Sequence, residues 1–413
     1  MERLSLFIGL VIILITQTTT KPKRILFITW DSDQSNYLES LFFPIFHQLQ
    51  RDLLASFHVL QFSWASQTEV NRIAQLASER DIAYSHFEVF KKVPSAFGAF
   101  LSLFIRKQQI VNLIKSEKIE VLMPRSTMPA WLTLMIQSDL RKLGIPVVFD
   151  ADGLPIQERI DFAGLNPRSL LARMLNKIER NTLFFSNQVI TRSTASIAWH
   201  LRVNPMLDSK KFSKVINGRD ASQFSPKPAV RSEIREKLGI RKEDIVLVHS
   251  GSLGKAYDLD SVFRVMKKSK RLKLLILTRN QELAYSLIPK SLEGQIIVLT
   301  CPFSAVPDYL NAADIGVSLR TSAPSLAGLA PIKLGEYLLC GLRVWVNPEI
   351  GDVQAELNDS TCVFAESPGN VEECLKWMIN SSHHCVERCR NLGLRYYSLE
   401  AAVSSYQQVL AKL

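Results

Sequence analysis

No cysteine occurs before Cys301. The six present, Cys301, Cys340, Cys362, Cys374, Cys385 and Cys389, all fall in the second half, within apparent helices and strands. In a chain of 413 residues that distribution argues against a disulfide framework and for reduced thiols. A structural metal set is also lacking. His383, His384, Cys385 and Cys389 form one metal-like cluster, but no matching pair lies elsewhere in the chain. There is no bilayer-length apolar run, since Leu4 to Ile15 gives only about a dozen residues where a spanning helix takes roughly 20. Helix-turn-helix, zinc-finger and RNA-recognition patterns are missing, which sets nucleic acid aside. Internal repeats and low-complexity segments are missing too.

What is present is a globular composition, 47% hydrophobic and 22% charged, long enough for two domains. The formal charge of +11 suits a nucleotide-diphosphate substrate or an anionic membrane surface. Positive charge is heavier after Leu4–Ile15 (Lys21, Lys23, Arg24) than before it (Arg3), which keeps the body of the protein on the cytoplasmic face of a membrane. Residues 1–20 read as an anchor or a signal-like segment.

Short apolar runs alternate with helical patterns along the chain, which predicts an α/β fold of doubly wound sheets. Arg24 to Trp30 is a buried strand followed by a loop in which Asp31 and Asp33 cap rather than bind metal. Phe90 to Lys118 carries Phe97, Phe100, Phe104 and Ile105 amid Lys91, Lys92, Arg106 and Lys107. It fits a core helix with solvated ends, or a segment at a membrane interface. Ala130 to Leu143 reads as one helix. Asp150 and Asp152 stand at a strand's C-terminal end, where α/β proteins place their sites. They are candidate catalytic or acceptor-side groups, and a helix cap is the competing reading. Asn217-Gly218 is a strong turn signal that places the hinge near Val203 to Lys214. Gly251 and Gly254 flank a loop that opens a helix near Asp258, the arrangement of a phosphate cradle. Arg279 and Asn280 end a strand and are candidate ligand contacts by position.

One stretch organises the second half: Pro331 to Asp352, PIKLGEYLLCGLRVWVNPEIGD. Pro331 suits a first helical position, Gly341 a helix stop, and Arg343 to Val346 a short buried strand. Lys333 and Glu336 are three apart and share a helix face. They form a surface ion pair, or Lys333 meets an anion at the helix N-terminus, where free amides converge.

KLGEYLLCG, then a strand and NPEIGD, resembles the nucleotide-sugar motif of family 4 retaining glycosyltransferases. VINGRD, the GSLG loop and PDYLNAADIGV resemble neighbouring segments of that family. The likeness is specific over Ile245 to Asp352 and diffuse over Arg24 to Asp220. It implies the GT-B fold, two Rossmann-like domains facing each other across a cleft. The implied domains are 21–205 for the acceptor and 206–395 for the nucleotide sugar, with a helix over 396–413 crossing back. It further implies that Glu336 binds the ribose and that Gly251, Ser252, Lys255, Arg279 and Lys333 meet the donor diphosphate, with no cofactor and no metal. The implied partners are a nucleotide sugar and a lipid-linked or glycan acceptor, in cell-surface polysaccharide biosynthesis. Two departures stand out. The family's earlier motif glutamate is replaced by Gly328, and the first loop lacks the paired glycines that many members carry. A nucleotide-sugar epimerase or hydrolase on the same fold, or an inactive membrane-associated assembly subunit, are the alternatives.

Overall fold

The computed structural model describes residues 21–32, 36–90, 95–365, 370–380 and 386–413, apart from the side chains of residues 95–97. Leu4 to Ile15, Asp33, Lys91, Lys92, His383, His384 and Cys385 lie outside the described residues. Among the described residues no helix is long and apolar enough to cross a membrane. The five described cysteines are free thiols.

The first unit holds strands β1 Lys23–Trp30, β2 Ala55–Ser63, β3 Ala83–Glu88, β4 Val121–Pro124, β5 Val148–Asp152, β6 Gln188–Thr191 and β7 Phe212–Lys214. Their order is β3-β2-β1-β4 and β5-β6-β7, and the bridges Leu122–Val147 and Arg125–Asp150 join the two runs. The second unit holds β8 Ile245–Ser250, β9 Leu272–Leu277, β10 Ile296–Leu299, β11 Ile315–Ser318, β12 Arg343–Val346 and β13 Val363–Phe364. Its order, β10-β9-β8-β11-β12-β13, is that of a Rossmann sheet. The pairings are parallel, with Ile25 held between Phe57 and Val121. Parallel strands are covered on both faces and so read as unbroken apolar runs. Ile25 to Ile28 and Ile245 to Val248 are buried without a gap.

Aromatic packing fixes the first core, with Phe46 stacked on Phe57 at 4.0 Å and Phe27 edge-on to Phe46 at 5.0 Å. The helix Leu399–Leu410 returns to that core and buries Ala402, Val403, Tyr406 and Val409 against it. Two boundaries differ from the sequence reading. The first sheet retains Phe212–Lys214, so the chain leaves it at the far end of the expected hinge, 203–214, and past the implied domain limit of 205. The expected helix over 130–143 is two helices, Thr127–Met135 and Gln137–Leu143. The aromatic segment after Phe90 forms the helix Ser95–Ser116, which buries Leu103, Ile110, Val111 and Ile114 in the core. Phe104 and Ile105 stay half exposed.

Candidate active site

A cavity of about 390 Å³ lies where the C-terminal ends of the two sheets face each other. Tyr37, Arg125, Asp152, Glu158 and Arg192 line it from the first unit, and Ser250, Gly251, Ser252, Tyr257, Arg320, Lys333 and Glu336 from the second. Open α/β sheets bind ligands at this edge, where strand order reverses.

The helix Ile332–Leu339 delivers the second group. Pro331 is its cap residue rather than its first turn, and no side chain caps the end. The Leu334 N–H turns back to the Pro331 carbonyl at 3.0 Å, which leaves the Ile332 and Lys333 amides as the end's orphan donors. Two glycines let the helix seat deeply. A Cβ on Gly335 would lie 2.5 Å from Tyr397, and one on Gly393 would lie 2.7 Å from the Leu339 nitrogen. The buried Tyr337 hydroxyl accepts the Ser250 N–H at 3.0 Å, which holds the loop after β8 against this helix. Gly341, at φ +78°, ends the helix in the left-handed region that favours glycine. Asn347 of the NPEIGD segment clamps Arg320 by its backbone. It accepts the Arg320 N–H at 2.6 Å and donates to the Arg320 carbonyl at 3.0 Å.

Lys333 does not pair with Glu336. Its ammonium nitrogen is buried and has no hydrogen-bond partner among the described residues. It lies over the Tyr257 ring at 4.5 Å, and the Arg320 guanidinium lies over the same ring at 4.4 Å. Burial, then the charge of Arg320, pushes the Lys333 pKa down to about 7. His249, edge-on to Tyr257, donates Nε2–H to the Ser252 carbonyl at 3.0 Å. Burial and the nearby Lys333 hold its pKa down at about 3, so it stays neutral. Two cations on one aromatic platform, beside an uncapped helix end, make a site for an anion.

Glu336 instead meets Arg219 of the VINGRD turn, with Nε 2.8 Å from Oε1 and both side chains buried. The Arg219 guanidinium also donates to the Ser40 carbonyl of the first unit. The surface-pair reading of Lys333 and Glu336 is thus replaced by two separate engagements.

Asp150 and Asp152 are likewise engaged. Asp150 is fully buried and does not line the cleft. Arg192 Nη2 lies 2.6 Å from its Oδ2, and its Oδ1 accepts the Asp152 N–H. Asp152 reaches the cleft and takes Arg125 at 2.6 Å. Each carboxylate therefore holds an arginine, and the D-x-D spacing does not present a free metal pair. Asp150 cannot touch a substrate, because nothing of it is exposed. Its place is behind Arg192.

Gly251 and Ser252 line the cleft, and Gly251, at φ +106°, leaves room for the Lys333 ammonium 3.5 Å from where a Cβ would stand. Lys255 and Arg279 are exposed and do not line it. The expected phosphate cradle at the helix Leu259–Met266 is not available either, because Asp258 accepts the Ser261 N–H and hydroxyl there.

Gly328 has a structural reason. A Cβ on it would lie 2.6 Å from the Leu154 nitrogen, and one on Gly153 would lie 2.6 Å from the Gly328 oxygen. Backbones of the two units touch where the family carries a glutamate. Polar contacts extend this seam. The Ser193 hydroxyl donates to the Ala327 carbonyl at 2.6 Å, the Asn217 amide donates to the Ala330 carbonyl at 3.1 Å, and Asp352 accepts from the Thr194 N–H at 2.9 Å and the Lys214 ammonium at 2.7 Å.

Sequence reasoning missed Arg125, Arg219, Tyr257 and Arg320 as site residues. The one available signal was position, since Arg125 and Arg320 each stand just past a short apolar strand.

Neither a protein-family model nor a curated protein matches this chain. Solved structures match along nearly its whole length. HepE of Anabaena, solved in complex with UDP, is 15% identical with a TM-score of 0.71, over 94% of this chain and 100% of that one. A glycosyltransferase from Rickettsia africae ESF-5 is 15% identical at 0.67, over 95% and 99%. Sucrose-phosphate synthase from Thermosynechococcus elongatus is 12% identical at 0.67, over 94% and 98%. This likeness establishes the fold: two Rossmann-like domains across a cleft, the GT-B arrangement.

Proposed function

We propose that the protein is a glycosyltransferase that moves a sugar from a nucleotide-diphosphate sugar to an acceptor hydroxyl with retention. The observation that carries this reading is Lys333, a buried ammonium without a hydrogen-bond partner among the described residues, sharing the Tyr257 ring with Arg320 at an uncapped helix end. The two cations repel, and the nearest carboxylate to Arg320 among the described residues is that of Glu158 at 3.7 Å. A diphosphate there would offset both charges and meet the helix amides. HepE, of the same fold, is solved with UDP and with UDP-glucose.

In this reading the Glu336 carboxylate accepts from the ribose hydroxyls while Arg219 holds it in place. The bond from the sugar's anomeric carbon to the diphosphate oxygen breaks, and the electrons leave on the diphosphate. Lys333, Arg320 and the first helical amides, fixed before the reaction, stabilise that growing charge. The acceptor oxygen bonds to the same face of the anomeric carbon and passes its proton to the departing phosphate oxygen. No protein nucleophile and no cofactor enter this scheme. The family resemblance adds a place in cell-surface polysaccharide biosynthesis, at the cytoplasmic face of a membrane, with residues 4–15 as the anchor. The acceptor is lipid-linked or a glycan.

A panel of radiolabelled nucleotide sugars, offered with membrane extract as acceptor, tests the reading. Label transferred to lipid or glycan is expected. Free sugar or an epimer would move the protein to a hydrolase or epimerase. Failure to bind any nucleotide sugar would overturn the site assignment.

A further inference from the structure

We infer that the first unit carries a pocket for a hydrocarbon chain and that the acceptor is an anionic amphiphile whose chain fills it. The word acceptor rests on the transferase reading above; the pocket does not. A second cavity, of about 610 Å³, opens at the C-terminal end of the first sheet. That is an ordinary size for a small-molecule site. Trp30, Trp64, Trp131, Phe90, Met128 and Met174 are large side chains of its wall. The wall is stiff where Trp30 stacks on Phe62 at 5.5 Å.

Three observations select the occupant. First, among the described residues the wall's polar side-chain groups are few: the hydroxyls of Ser126 and Thr127, the indole N–H groups of its three tryptophans, and Arg159. A sugar ring would lose water from several hydroxyls with too few partners to replace it, whereas a chain has none to satisfy. Second, among the described residues Arg159 is the one charged wall residue, and its exposed side chain has no hydrogen-bond or ion-pair partner among them. It suits an anionic group at the mouth. Third, the cavity borders two other features. Pro155 lines both this cavity and the cleft, so the two adjoin at that residue. Outward, Phe100 lies 5.3 Å from Trp131 and 5.7 Å from Phe104, and Phe104, Phe90 and Leu170 are 48%, 41% and 77% exposed. An apolar rim of this kind fits a ligand delivered from a lipid surface.

Calorimetry on the full chain with alkyl phosphates, from hexyl to dodecyl and below their micelle concentrations, tests this. Affinity is expected to rise about two- to fourfold per added methylene until the cavity is full. Alkyl alcohols of equal length should bind about tenfold more weakly, and Arg159→Gln should erase most of that difference. Met128→Trp, which fills the cavity, should flatten the chain-length series. UDP affinity and melting temperature serve as folding controls for both variants. A flat series in the native protein, or displacement of dodecyl phosphate by a soluble oligosaccharide, would overturn the pocket assignment. The UDP titration separates the two proposals. Loss of UDP binding with an intact series removes the transferase reading and keeps the pocket, and the reverse result removes the pocket alone.

Discussion

Arg219 Nε lies 2.8 Å from Glu336 Oε1, and the same guanidinium bonds the Ser40 carbonyl across the cleft. A carboxylate of the second unit is thereby held by an arginine that also grips the helical turn Leu38–Phe42 that follows β1. Removing one member of such a buried pair strands the other charge, at a cost of about 3–5 kcal/mol. Glu336→Gln should therefore lower the melting temperature as well as weaken nucleotide-sugar binding about ten- to hundredfold. The double variant Arg219→Met, Glu336→Leu should regain much of the stability without regaining affinity. If it binds donor like the native protein, Glu336 has no ribose role.

Lys333 gives a pH signature. Its pKa is pushed down to about 7 in the open cleft, and an arriving diphosphate raises it by opposite charge. Below about pH 7 the ammonium is already charged, so affinity should be flat. Above that value binding takes up a proton, and affinity should fall by up to about tenfold per pH unit. Titrating a nucleotide sugar in two buffers of different ionisation enthalpy reads the proton directly. Lys333→Met should abolish both uptake and slope; a slope that persists assigns the proton elsewhere.

Gly328→Glu installs the glutamate that family 4 glycosyltransferases carry at the corresponding place. The Leu154 nitrogen, 2.6 Å from the new Cβ, leaves no room for it. Overpacking costs typically about 1–3 kcal/mol, so a lower melting temperature and no gain in transfer are expected. A stable and faster variant would mean that the Gly153–Gly328 contact is dispensable.

Chelation should leave transfer activity within about twofold of its starting value, because in this reading Lys333, Arg320 and helix amides rather than a metal ion meet the phosphates. Asp150 and Asp152 are committed to Arg192 and Arg125. A strict demand for Mg²⁺ or Mn²⁺ would show that those ion pairs open in the working enzyme.

Much of the architecture was readable because parallel strands are short apolar runs: RILFITW, IVLVHS and RVWV each fall on an observed strand. The stop at Gly341 was readable from chemistry alone. The site was only half readable. Lys333 and Glu336 were visible as neighbours three residues apart, yet they take different partners. The Arg219 and Tyr257 that claim them lie about eighty to a hundred and twenty residues upstream, and local spacing carries no information about contacts of that range. Lys255 was placed by the family resemblance and Arg279 by nearness to a strand end, but both are exposed and neither lines the cleft. Gly328 looked like a lost function until the opposing Gly153 backbone explained it.

The helix Leu399–Leu410 completes a core whose other strands end at Lys214. During synthesis at about 5–20 residues per second, that gap delays its arrival by roughly 10–40 seconds. Over that interval Phe27, Phe43 and their neighbours wait without their last cover. The first sheet of a ribosome-bound chain halted before Leu399 should stay open to protease, and resistance at that stage would show that the sheet matures without the helix. A helix made late thus closes a core whose strands are made early, and truncation before Leu399 should leave that core uncovered.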